Sequence, residues 1–244
     1  MTGQTITMET ADRVATITIR RPEAKNALTK AMYAAIRDAV LAADADDGVA
    51  CVVLRGSEGA FCVGGDLKEM LDAIETDPSR LMDYEEYLPF EAVRSLRKPS
   101  IASIDGLCIG GGLTMALMCD CLVATGRSRF AIPEAKVGIV DGHLPRLLRE
   151  AVPPPRLRYW MYSGSLFSAQ EAYEAGLLTK VVPSDDLDGT LERIVREFLA
   201  SSPEAIRHLK TVLNETRPLS PMTDAYLTMT QPHTRKRLEA FAAR

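Results

Sequence analysis

Short apolar runs alternate with segments of helical periodicity through the first 150 residues. The β-branched run ATITI at 15–19 and the apolar run CVVL at 51–54 are typical of buried strands. Between them, apolar residues recur every three or four positions, which predicts a helix from a cap at Thr29 to about Ala43. The same criteria predict helices around 66–74, 81–96 and 113–118, and strands at 101–104 and 119–124. Elements that alternate at this length indicate an α/β fold with parallel strands.

The pattern changes after the proline-rich segment VPPPR at 152–156. One strand-like piece, KVVP at 180–183, is followed by helical periodicity almost to the end of the sequence. The predicted helices cover 185–201, 203–216, 220–230 and 233–243. We therefore divide the chain into an α/β core, residues 1–185, and a C-terminal helical region, residues 186–244.

Composition and charge narrow the class of protein. The 244 residues are 46% hydrophobic and 25% charged, with a formal net charge of −4, as in a globular protein and unlike a disordered chain. This balance disfavours a nucleic-acid binder and a polybasic membrane-binding surface. No secretory signal and no apolar run of 18 residues is visible, and the five cysteines lie in apolar stretches. We expect a cytoplasmic protein with reduced thiols and neither membrane nor nucleic acid as a partner.

Neither a phosphate-binding loop nor a metal site is predicted. The sequence lacks G-x-x-x-x-G-K-[ST], and its GLCIGGG cluster at 106–112 does not fit the dinucleotide-binding pattern. Cys119 and Cys121 would point to opposite faces of the predicted strand, and the three histidines lie far apart.

Two glycine-rich turns, at 59–66 and 104–112, each lead into a predicted helix. Glycine lets a ligand approach the backbone closely, and the first amides of a helix have no intrahelical acceptor. Two such helix starts that converge would form an oxyanion hole from backbone N–H groups. Either turn alone is more typical of an ordinary strand-to-helix connection than of a ligand site.

Glu134 is the candidate general base. It follows Pro133 within the largely apolar segment FAIPEAKVG at 130–138, where burial would raise the pKa of its carboxyl group. The structural alternative is an exposed glutamate at the start of a helix.

Five segments, in this order and spacing, resemble the enoyl-CoA hydratase/isomerase (crotonase) superfamily. They are RRPEAKNALT at 20–29, GAFCVGGDLKEM at 59–70, DGLCIGGGLTMALMCD at 105–120, FAIPEAKVG at 130–138 and FSAQEAYEAGLLTKVVP at 167–183. The resemblance implies a crotonase-like spiral of ββα units with a C-terminal helical layer, assembled into homotrimers or homohexamers. It also implies an acyl-CoA substrate, whose coenzyme A is part of the substrate, so that no separate cofactor is expected.

The resemblance also implies roles for particular residues. The amides of Gly65 and Gly111 match the two oxyanion-hole donors, and Glu134 matches one of the two hydratase glutamates. Further residues are implied to bind the substrate, most of them along the coenzyme A groove: Lys25, Ala27, Val63, Gly64, Asp66, Leu67, Lys68, Pro133 and Gly142.

Thr114 departs from the hydratase pattern, because it stands where the second hydratase glutamate falls. A threonine does not ionise near neutral pH and cannot act as a general base there. A single carboxylate can still move a proton from C2 to C4 of a 3-enoyl thioester. We therefore expect an enoyl-CoA isomerase that forms 2-enoyl from 3-enoyl thioesters.

Asp141 is a second departure. Its V-G-x-x-D-G context resembles the dihydroxynaphthoyl-CoA synthase branch and some members that cleave C–C bonds. Asp141 is then a second catalytic carboxylate, with His143 as a helper, or else a cap for a helix from about Leu144. The alternatives to an isomerase are an enoyl-CoA hydratase, a C–C bond lyase or hydrolase using Asp141, and a non-catalytic acyl-CoA-binding protein.

Overall fold

A computed structural model describes residues 5–76 and 87–214 of the chain. Its strands are β1 Ile6–Ala11, β2 Val14–Ile19, β3 Cys51–Gly56, β4 Ala60–Cys62, β5 Ser100–Ile104, β6 Leu107–Ile109, β7 Cys121–Thr125, β8 Arg129–Ala131, β9 Phe167–Ser168 and β10 Lys180–Val182. Its α-helices are α1 Lys30–Ala45, α2 Leu67–Thr76, α3 Phe90–Arg94, α4 Gly111–Leu117, α5 Leu144–Leu148, α6 Pro154–Ser163, α7 Ala169–Glu174, α8 Leu187–Ala200 and α9 Pro203–Asn214.

The strands form two mainly parallel sheets, and successive ββα units contribute strands to both of them. The larger sheet has the order β1-β2-β3-β5-β7-β10 and the smaller sheet the order β4-β6-β8-β9. Within each sheet all pairs are parallel except β1 with β2 and β8 with β9. The unit β3-β4-α2 and the unit β5-β6-α4 each give one strand to each sheet before the chain enters a helix. This arrangement confirms the predicted α/β fold with its spiral of ββα units.

The larger sheet is buried on both faces at its central strand β3, which explains the uninterrupted apolar run there. Val52 and Leu54 lie in the main core, whereas Cys51 and Val53 face a second core cluster. That second cluster includes Leu187 and the following apolar residues of α8. The C-terminal helical layer therefore begins by packing directly on the sheet.

The helical layer agrees with the sequence-based expectation as far as the structure describes it. Helices α8 and α9 fall within the predicted 185–201 and 203–216 segments. The predicted helices 220–230 and 233–243 lie outside the described residues, and the division at residue 185 stays a prediction. Across residues 5–76 and 87–214, no helix is long and apolar enough to cross a membrane.

Three predicted elements differ from the structure. Of the predicted 81–96 helix, residues 81–86 lie outside the described part. Beyond them the helix is not continuous: Tyr87 is helical, residues 88–89 are not, and a new helix runs from Phe90 to Arg94 with Pro89 at its N-terminal cap. The predicted 113–118 helix begins earlier, at Gly111. The predicted strand 119–124 begins only at Cys121, because the Asp120 amide and carboxylate both hydrogen-bond to Ser100. The opposite-face argument about Cys119 and Cys121 was wrong, because residues two positions apart in a strand share a face, and Cys119 moreover precedes this strand.

All five cysteines are free thiols, and four of them are buried. Burial raises the pKa of Cys62 to about 12, so its thiol stays protonated and behaves as a small apolar side chain.

Candidate active site

One cavity of about 810 Å³ lies where the two glycine turns meet the Pro133–Glu134 segment and the loop before α5. Most of the residues predicted to form the site line it: Val63, Gly64, Gly65, Asp66, Leu67, Gly111, Pro133, Glu134, Asp141 and Gly142. The fold thus brings together residues that are up to about 80 positions apart in the sequence.

Four predicted site residues do not line the cavity. Lys25 is exposed, with its amide bonded to the Pro22 carbonyl, and Lys68 is exposed on α2. Ala27 is half-buried, and its carbonyl accepts a hydrogen bond from Arg21. Thr114 is fully buried on α4, behind Asp141.

The two glycine turns lie against each other and present free amides. The Leu28 amide donates to the Gly64 carbonyl at 2.8 Å, and the Asp66 amide donates to the Leu28 carbonyl at 2.9 Å. These two bonds fix the backbone on both sides of Gly65. A β-carbon on Gly64 would lie 3.2 Å from the Gly111 nitrogen, so the turns are in direct contact. Within the described part of the chain, nothing accepts a hydrogen bond from the Gly65 or Gly111 amide. Two unused backbone amides on adjoining turns are the donors that an oxyanion hole requires.

Asp66 is held by the protein itself. Its carboxylate accepts from Arg21 at 2.6 Å and from the Lys68 amide at 2.9 Å, at the start of α2. The hydrogen bond from Arg21 holds the pKa of Asp66 below its usual range. This side chain fixes the turn that carries Gly65.

Glu134 is the first residue of a 3₁₀ turn, Glu134–Val137, that directly follows Pro133. Its Oε2 atom is buried and has no hydrogen-bond partner in the described part of the chain. A β-carbon on Gly110 would lie only 2.5 Å from Glu134 Oε1, and Gly110 has a φ of 53°. Glycine at position 110 therefore allows the carboxylate to lie against the start of α4.

Burial raises the pKa of Glu134, and the nearby charge of Asp141 raises it further. A carboxylate with a raised pKa binds a proton more strongly than an ordinary glutamate does, which favours it as a general base near neutral pH. The environment is the one expected for a proton-transfer group.

Asp141 caps the helix that follows it. Its Oδ1 accepts from the amides of His143 and Leu144, both at 2.7 Å. Its Oδ2 accepts from the Thr114 hydroxyl at 3.0 Å. A helix cap, the structural alternative for Asp141, therefore accounts for its hydrogen bonds to the two amides, although the residue also lines the cavity. The His143 ring packs edge-on against Phe90, with 5.1 Å between ring centroids.

The sequence analysis did not identify the aromatic wall of the cavity, formed by Tyr33, Tyr87 and Phe90. Tyr33 lies on the apolar side of α1 and is only 5% exposed, so its pattern is that of a core residue. The available signal was the proximity of Tyr33 to the RRPEAKNALT segment, which ends one helical turn earlier.

Comparisons with known proteins give matches along almost the whole chain. The model of the enoyl-CoA hydratase/isomerase family matches residues 9–236. A probable enoyl-CoA hydratase from Mycobacterium bovis is 33% identical over 216 residues, covering 88% of this chain and 82% of that protein. A crotonyl-CoA hydratase from Syntrophomonas wolfei is 31% identical over 223 residues, covering 88% and 83%. The crystal structure of an enoyl-CoA hydratase from Mycobacterium smegmatis aligns with a TM-score of 0.86 at 30% identity, covering 98% of this chain and 96% of that one.

Proposed function

The chain belongs to the enoyl-CoA hydratase/isomerase (crotonase) family, whose members act on acyl-CoA thioesters, and from that premise we propose that it converts 3-enoyl-CoA to 2-enoyl-CoA. The Glu134 carboxylate removes a proton from C2 of the substrate. The amides of Gly65 and Gly111 bind the thioester oxygen as it becomes the dienolate oxygen. Glu134 then returns the proton to C4, and the double bond moves from C3–C4 to C2–C3.

The observation that carries this proposal is the contrast between Glu134 and the groups around it. Glu134 has a raised pKa and a buried oxygen that finds no partner among residues 5–76 and 87–214. Thr114 cannot ionise near neutral pH, and both oxygens of Asp141 accept hydrogen bonds from the protein. One proton-transfer group is sufficient for a 1,3-proton shift, whereas addition of water benefits from a second.

Hydration of 2-enoyl-CoA is the second candidate function. It is favoured by the relatives at 31% and 33% identity, which are named as hydratases. The Thr114–Asp141 pair would then have to orient the attacking water, with Glu134 transferring the α-proton.

The oligomeric state and the cofactor requirement belong to the same proposal. We expect a homotrimer or homohexamer that needs no cofactor besides the coenzyme A carried by the substrate. A cytoplasmic location remains our expectation.

The test compares three rates on one preparation of the protein. We expect isomerisation of 3-hexenoyl-CoA to exceed hydration of crotonyl-CoA, and α-protons of butyryl-CoA to exchange with deuterium oxide. Faster hydration would assign the hydratase function instead, with Asp141 as the missing partner. Thioester cleavage or C–C cleavage would assign the hydrolase or lyase alternatives. Acyl-CoA binding without any exchange would identify a non-catalytic binding protein.

A further inference from the structure

Tyr33 is fixed next to the oxyanion hole by the way that α1 begins. Leu28 pairs with the backbone on both sides of Gly65, and α1 starts directly after it. The Thr29 side chain caps the helix by accepting from the Met32 amide at 3.3 Å, and the Tyr33 amide donates to the Thr29 carbonyl at 3.0 Å. Tyr33 is therefore one helical turn from Thr29, which directly follows the residue that is hydrogen-bonded on both sides of Gly65.

The Tyr33 hydroxyl lies close to both glycines whose amides form the hole. A β-carbon on Gly111 would lie 3.0 Å from Tyr33 Oη, and one on Gly65 would lie 3.8 Å from the same atom. Tyr33 also lines the cavity. An oxygen bound by both amides would consequently have the phenol beside it.

Aromatic packing holds the Tyr33 ring in its position beside the oxyanion hole. Phe90 contacts it edge-on with 6.2 Å between ring centroids, and the Tyr87 ring lies at 6.5 Å with an interplanar angle of 46°. The residue is 5% exposed, so its ring has little freedom to turn away. A donor that is fixed before the substrate binds costs little reorganisation during the reaction.

We propose that Tyr33 is a further catalytic residue, which donates a third hydrogen bond to the thioester oxygen. A phenol keeps its proton at neutral pH and is therefore a donor to the developing negative charge. The inference rests on the proposed function, because it assumes that the amides of Gly65 and Gly111 bind that oxygen. It adds a side chain to a hole otherwise made of backbone, while Glu134 remains the proton-transfer group.

The test replaces only the hydroxyl. In Tyr33→Phe the ring and its packing are kept, and Tyr173→Phe makes the same change at an exposed position of helix α7 as the matched control. The first readout is kcat and KM for 3-hexenoyl-CoA. The second readout is the absorption maximum of bound 4-dimethylaminocinnamoyl-CoA, a chromophoric thioester whose band moves to longer wavelength when its carbonyl is polarised. Thermal unfolding confirms that each variant is folded.

We expect Tyr33→Phe to lower kcat at least about tenfold, with little change in KM. The loss of kcat typical of a missing oxyanion-hole donor is roughly 10²–10³-fold. It should also reduce the wavelength shift of the bound chromophore, whereas Tyr173→Phe changes neither. A full shift in Tyr33→Phe would overturn the role of Tyr33 and leave the oxyanion hole intact, even if kcat fell. No shift with the wild-type protein would overturn the oxyanion hole itself and the Tyr33 proposal with it.

Discussion

Asp141 has two effects in the site: it caps a helix, and its charge acts on Glu134. Its carboxylate caps α5 and accepts from Thr114, and its charge raises the pKa of Glu134. The sequence left open whether Asp141 is a second catalytic carboxylate or a helix cap. The hydrogen bonds establish the cap, and the effect on Glu134 follows from its proximity.

The substitution Asp141→Asn separates these effects. Asparagine still caps a helix but carries no charge, so the fold should be kept while the pKa of Glu134 moves down. Glu134 must be ionised to accept a proton, so the fall in kcat/KM towards acid pH should begin at a lower pH than in the wild type. A pH–rate profile of isomerisation measures this shift. A loss of about 10²–10⁴-fold at every pH would instead make Asp141 a second proton-transfer group.

Individual site residues differed in how far the sequence revealed them. Gly65, Gly111 and Glu134 lie in local motifs, so their chemistry was visible in short segments. Tyr33 gave no such indication, because its contact with Gly111 joins positions that are far apart and depends on the Leu28 pairing. The family resemblance implied that Lys25 and Lys68 each bind the substrate, but neither residue lines the cavity.

Among secondary-structure elements, length decided what the sequence could predict. Strand β3 and helix α1 have enough residues to show their periodicity, and both were predicted. Strands β4, β6 and β8 have three residues each, and β9 has two. So few residues show no alternation, and these strands exist because their backbones pair with one another in the smaller sheet.

Helix α9 is anchored to the larger sheet by one ion pair. Lys210 Nζ lies 2.6 Å from Asp120 Oδ2 and donates to the Lys98 carbonyl at 3.0 Å. The side chains are 9% and 29% exposed, so water screens the pair only in part. Asp120 also accepts from Ser100, which joins the helix to the start of β5.

We expect Lys210→Met to lower the free energy of unfolding by about 2 kcal/mol. That value is below the roughly 3–5 kcal/mol for a broken, fully buried pair, because Asp120 is partly exposed. Urea unfolding at one fixed protein concentration measures the change, with Lys180→Met, at the exposed first residue of β10, as the control. A change below about 0.5 kcal/mol would show that Lys210 contributes no more to the free energy of unfolding than an ordinary surface residue.

For the molecule as a whole, the outer helices leave apolar side chains exposed. Tyr162 is 75% exposed on α6, and Leu209 and Leu213 on α9 are 57% and 80% exposed. Apolar residues grouped on helix surfaces are common at subunit interfaces. We expect sedimentation at micromolar concentration to give three or six times the 26.7 kDa mass of one chain. A species of single-chain mass under these conditions would contradict the predicted assembly.

The central claim is that Glu134 is the base of an enolate reaction, and Glu134→Gln tests it most directly. Glutamine keeps the shape of the side chain but cannot accept the proton, and it removes a buried charge whose ionisation opposes folding above the raised pKa. The melting temperature of Glu134→Gln near pH 8 should therefore equal or exceed that of the wild type.

The decisive measurement is deuterium exchange at C2 of butyryl-CoA, alongside isomerisation of 3-hexenoyl-CoA and butyryl-CoA affinity, with exposed Glu150→Gln as the control. We predict that Glu134→Gln lowers exchange and isomerisation together by about 10²–10⁴-fold, while the affinity is retained. Exchange and isomerisation at the wild-type rate in a folded Glu134→Gln variant would contradict the account.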